Sequence, residues 1–67
     1  MERAIILSDL SDQLETLARF HIQHGLGEAE GVNRHRENIH DFIREHEIDI
    51  QRELDPLALY YYRRFCG

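Results

Sequence analysis

Five histidines, His21, His24, His35, His40 and His46, are the densest reactive chemistry in this 67-residue chain. Neutral imidazole is a common zinc ligand. His21 and His24 are three residues apart, which places both on one helix face. A helical hairpin turning after them sets His35 across from His21, and Glu28 or Glu30 could add an oxygen ligand. His21, His24 and His35 are therefore the metal candidates. The motifs around the histidines fall short of known signatures. His46-Glu47-Ile48-Asp49-Ile50 begins like H-E-x-x-H, but Ile50 stands where the second histidine belongs. Phe42-Ile43-Arg44-Glu45-His46 resembles H-x-x-E-H with Phe42 in the first position. Glu37-Asn38-Ile39-His40 has the E-x-x-H spacing of di-iron bundles, but Glu37 lies off the apolar stripe. The reading is that no metal or other cofactor is held. A different role suits His46, which sits among Phe42, Ile43, Ile50 and the facing Leu10. Burial disfavours imidazolium, so acid is expected to loosen the structure there.

Covalent catalysis has little to draw on. Ser8, Ser11 and Thr16 lie together in the first half, where capping or solvent exposure accounts for them. Cys66, the one cysteine, is expected as an exposed thiol near the C-terminus with no base beside it. Gly25-x-Gly27-x-x-x-Gly31 is one residue too long for G-x-G-x-x-G and carries two acids, which would repel phosphate. All eight basic residues are arginine, so lysine chemistry is excluded. A chain this short also has little material to shape a water-excluding pocket. The expectation is a protein that is not an enzyme.

The strongest binding chemistry is C-terminal. Tyr60, Tyr61, Tyr62, Arg63, Arg64 and Phe65 concentrate the residue types enriched at binding hot spots. They read as a third helix of the fold's own core, as a protein-docking surface, or as a platform for single-stranded nucleic acid. In the last case Arg34 and Arg36 would join Arg63 and Arg64. The formal net charge of -5 makes nucleic acid the weaker alternative, since phosphate binding needs positive charge. Two acidic groups, Asp9, Asp12 and Glu15, and Glu45, Glu47, Asp49, Glu53 and Asp55, suggest a protein partner with a basic surface.

The elements that must position these residues are helices. Leu7, Leu10, Leu14, Leu17 and His21 recur at spacings of three and four, which predicts a helix over about 2–24. Gly25 to Gly31 is the turn. Val32, His35, Ile39, Phe42, Ile43, His46, Ile50 and Leu54 repeat the period, and no proline precedes Pro56, so one helix is expected over about 32–54. Asp55-Pro56 restarts a short helix over 56–65, with Asp as N-cap and Pro at the first helical position. Folded about the glycine turn, Leu17 faces Ile39, Leu14 faces Phe42, Leu10 faces His46 and Arg3 faces Glu53. Two independent periodicities agree in phase, which supports an antiparallel hairpin.

Length then sets a difficulty. A chain of this size buries only ~60% of its unfolded surface, and one core of this size supplies ~3–5 kcal/mol. With a single cysteine there is no intrachain disulfide. Ile5, Phe20 and Ile48 lie off the stripes and, with the segment Leu57–Phe65, exceed what two helices cover. The chain is therefore read as one all-α domain over 1–67, a two-helix antiparallel hairpin with a short third helix, assembled with itself into a dimeric helical bundle. Its expected function is a non-catalytic regulator, inhibitor or adaptor that binds another protein. Small acidic helical factors of phages and mobile elements offer an analogy of class. No run of residues reaches the ~18 apolar positions of a membrane span, and Ala4-Ile5-Ile6-Leu7 is too short for a signal core, so the expected location is cytoplasmic with no membrane partner.

Overall fold

The computed structural model describes residues 2–24 and 30–66. Within them the chain is helical, with no strand. Helix α1 spans Arg3–His24, α2 spans Glu30–Glu45, α3 is the single turn Ile50–Glu53, and α4 spans Pro56–Tyr61. A π-helical turn, Tyr62–Cys66, continues α4 to the end of the described chain. The expected turn over 25–31 lies mostly outside the described residues. Its last glycine, Gly31, is already helical, so α2 starts at Glu30, ahead of the expected 32.

The hairpin stripe forms the core. Leu10, Leu14, Leu17 and Ile39 are fully buried, and Val32, Ile48, Leu54 and Ala58 join them. Phe42, Ile43, Ile50, Leu59, Tyr61, Tyr62 and Phe65 pack around this cluster. Contacts run in the antiparallel sense. Phe20 meets the His35 ring edge-on at 6.4 Å, His21 meets Arg36, and near the other end of α1 Arg3 meets Glu53. The accessible surface is 4823 Å², against ~11,600 Å² for an extended chain of this mass, so about 60% is buried.

The single helix expected over 32–54 does not exist, because α2 ends at Glu45. No glycine or proline stops it. The Glu47 amide donates to the Arg44 carbonyl at 3.2 Å, and the Ile48 amide reaches back to the Ile43 carbonyl at 3.0 Å. Glu47 itself adopts a left-handed φ of 50°. This pair of bonds is a Schellman stop, in which an apolar residue past the end contacts one in the last turn. Here those residues are Ile48 and Ile43, both in the core cluster. The drive is burial. On a continuous helix Ile48 would point away from the stripe, whereas the stop turns it inward to 8% exposure. Ile48 is thus a core residue and does not supply an association surface on this chain.

Arg3 ties the resulting corner. Its guanidinium donates to the His46 carbonyl at 2.9 Å and the Glu47 carbonyl at 3.1 Å, so it caps the end of α2. It also grips both carboxylate oxygens of Glu53, at 2.8 and 2.7 Å. Such bidentate geometry is the strong form of an arginine–carboxylate pair. One Glu53 oxygen also accepts the Asp49 amide at 2.8 Å, closing α3. The Arg3 hydrogen bond, with that amide, holds the Glu53 carboxyl down at about 2. After Leu54, Asp55 takes the extended N-cap conformation and Pro56 the first helical position, as the sequence expects. The Asp55 side chain makes no capping bond.

Candidate functional site

Arg36 on α2 hydrogen-bonds to the π turn. Its Nε donates to the Phe65 carbonyl at 2.8 Å, its Nη1 to Asn33 Oδ1 at 2.6 Å, and its Nη2 lies 3.0 Å from His21 Nε2. Arginine always carries its proton, so His21 Nε2 must accept and His21 must be neutral. The His21 ring packs on Phe65 with centroids 4.6 Å apart. Desolvation there, together with the neighbouring Arg36 charge, lowers the His21 pKa below its ordinary value. α1, α2 and the C-terminal turn thus meet at one neutral imidazole and one guanidinium.

Beside this junction lies an open groove of about 490 Å³, lined by His21, Ile22, Tyr60, Tyr61, Arg64 and Phe65. Its walls differ in character. Tyr61 and Phe65 are half-buried and packed on the core, with ring centroids 6.3 Å apart. Tyr60 is 55% exposed and Ile22 is 77% exposed. Arg64 is exposed, with its guanidinium carbon 5.8 Å from the Phe65 ring centroid. Leu57, three residues before Tyr60 on α4, is also largely exposed. The groove therefore combines anchored aromatic rings, open apolar side chains and a cation.

The residues singled out from sequence divide accordingly. Tyr60, Tyr61, Arg64 and Phe65 come together in the groove. Tyr62 packs on the core with its ring against His40, at 5.8 Å between centroids. Arg63 is exposed near the groove's end of the chain. Phe20 is partly exposed and pairs with His35, while Ile5 is exposed near the far end of α1. Ile22 is an addition that the sequence reading does not single out, whereas Leu57 belongs to the segment Leu57–Phe65 expected to carry excess apolar surface. Ile22 offered a signal, since it lies off the Leu10–Leu14–Leu17 stripe.

The arginine patch is not a unit. Arg34 and Arg64 are exposed, but Arg36 directs its guanidinium into the fold, where it holds Phe65, Asn33 and His21. Two of the metal candidates, His21 and His35, are likewise engaged. His21 Nε2 accepts from Arg36, and His35 Nε2 lies 3.0 Å from the Gln13 carbonyl, to which it donates. The side chains of His24 and Glu30, and all of Glu28, lie outside the described residues. Among the described residues no three histidine, cysteine or acidic side chains cluster to hold a metal ion. His46, the expected acid-sensitive position, packs on Phe42 at 4.4 Å between rings, and only half-buried.

Cys66 departs from expectation. It is half-buried against the core and not an open thiol. Burial pushes its pKa up to about 11, with Arg36 opposing weakly. That is the environment of an inert thiol.

No helix among the described residues is long and apolar enough to cross a membrane. No protein-family model matches the chain, and comparison with curated proteins and with solved structures returns no significant match.

Proposed function

We propose that this chain is a non-catalytic protein–protein interaction module, a small acidic regulator, inhibitor or adaptor that docks its partner in the groove between α1 and the α4–π-turn segment. The observation that supports this is the exposure of Ile22 and Tyr60 beside Arg64, over rings rooted in the core. Tyrosine and arginine are among the residues that carry most binding energy at protein interfaces. Rings already fixed by packing lose little conformational freedom when a partner arrives, which conserves affinity. The π turn fits the same role, because such turns recur at functional sites. The acidic surface away from the groove, Asp9, Asp12 and Glu15 on α1 and the acids around α3, is a second contact region and favours a basic surface opposite it.

The test compares wild type with Tyr60→Ala/Arg64→Ala as immobilised baits. Lysate is nuclease-treated, and the beads are washed at low and then high salt. Wild type is expected to retain a defined polypeptide that the double variant loses. Equal retention by both baits would place docking elsewhere on the molecule.

A further inference from the structure

We propose that a second copy of this chain occupies the groove, entering by the N-terminal end of its own α1. The inference rests on the docking reading above and names the partner. It starts from the groove's charge. Among its lining residues Arg64 is the fixed cation, and none is a carboxylate. The complementary ligand is an apolar side chain flanked by acids. This chain carries that arrangement itself. Ala4, Ile5, Ser8, Asp9 and Asp12 line a second hollow, of about 420 Å³. Ile5 is 55% exposed at its rim, and among the described residues neither Asp9 nor Asp12 forms an ion pair.

The two surfaces cannot meet within one molecule. α1 has 22 residues, ~33 Å at 1.5 Å per residue, and the molecule's longest extent is 34 Å. The acid-flanked hollow lies at the start of α1 and the aromatic groove at its end. The contact between copies joins two different patches, and because these lie at opposite ends of α1, an antiparallel pair related by a two-fold axis can make it twice. Each patch also leaves an isoleucine largely in water on a chain with a small core, so association removes apolar surface that the fold cannot cover alone.

Complementation by charge reversal tests the contact, with mass read by sedimentation equilibrium and helicity by circular dichroism. The probes are wild type, Arg64→Glu, and the pair Asp9→Arg/Asp12→Arg. All substituted positions are exposed, so helicity is expected to persist. Wild type is expected to exceed 8.0 kDa with rising concentration and to fall back toward it at high salt. Each variant alone is expected to associate at least ~tenfold more weakly, because like charges then face each other. Mixed, the two variants are expected to recover association, since each keeps the patch the other lacks. A wild type that stays at 8.0 kDa, or a mixture no heavier than its parts, overturns the inference. If wild type is monomeric yet captures another polypeptide that Tyr60→Ala/Arg64→Ala releases, the second copy is refuted and the docking groove stands. If wild type is monomeric and no capture depends on the groove, both readings fall.

Discussion

Replacing Glu47 by glycine should raise the melting temperature. Glu47 holds a φ of 50° at the stop that ends α2. The left-handed conformation costs an L-residue roughly 1–2 kcal/mol, a cost glycine does not carry. Glycine's greater freedom in the unfolded chain returns ~0.4–1 kcal/mol of that gain. The net stabilisation is about 0.5–1 kcal/mol. At ~4–8 °C per kcal/mol for a domain of this size, the midpoint should rise by about 2–8 °C. The carbonyl that accepts from Arg3 belongs to the backbone and is retained in the variant. Thermal unfolding followed by circular dichroism reads the effect, with Glu47→Ala as control. Alanine removes the same carboxylate but keeps the backbone strain, so its midpoint should not rise. The sign carries the argument. Were residues 32–54 one helix, glycine in its interior would cost ~0.5–1 kcal/mol and lower the midpoint. A Glu47→Gly midpoint below that of Glu47→Ala would refute the break between α2 and α3.

Three further outcomes follow from the same structure. Glu53 is held at about 2 in the fold against an ordinary 4.5, so the stability it lends is whole above 4.5 and lost as pH falls toward 2; acid titration of Glu53→Gln should show that part of the loss removed. His21 resists in the fold a proton that it accepts near 6.5 when unfolded, so its contribution is whole above 6.5 and declines on acidification. The midpoint of His21→Gln should accordingly fall less than that of wild type between neutral pH and mild acid, and parallel curves would remove His21 from the acid response. With its pKa near 11 rather than 9.0, Cys66 should label about a hundredfold more slowly than in the denatured chain at mildly alkaline pH, and equal rates would show that the C-terminal turn does not shield it.

The hairpin was legible because its signal is local and repeated. Leu10, Leu14, Leu17 and Ile39 announce their burial by spacing alone. The expected pair of Arg3 with Glu53 is present, but Glu53 reaches it from α3, across a break, and not along one continuous helix. The break after Glu45 was not legible, because neither glycine nor proline marks it. Its trace is Ile48, an apolar residue flanked by acids and off the stripe. Its spacing marks it as surface for a partner, but the chain reverses to bury it. The C-terminal helix was marked by Asp55-Pro56, yet its anchor was hidden. Arg36 reads from sequence as a solvated cation, and only the fold brings it to His21 and to the Phe65 carbonyl. Tyr60, Arg64 and Phe65 were recognisable by residue type. Periodicity places Ile22 off the stripe, but only the fold brings the end of α1 beside α4 and the π turn, where Ile22 lines the groove with them.

The docking groove is tested most directly by placing a photo-activated cross-linking residue at Tyr60 and, separately, at Asn38, which is exposed in the middle of α2. Both proteins are irradiated in lysate and their adducts separated by mass. Position 60 is expected to yield a discrete polypeptide adduct, at twice the chain's mass if the occupant is a second copy, with none at position 38. Equal adducts at both positions, or none at position 60, would contradict a docking surface at the end of α1.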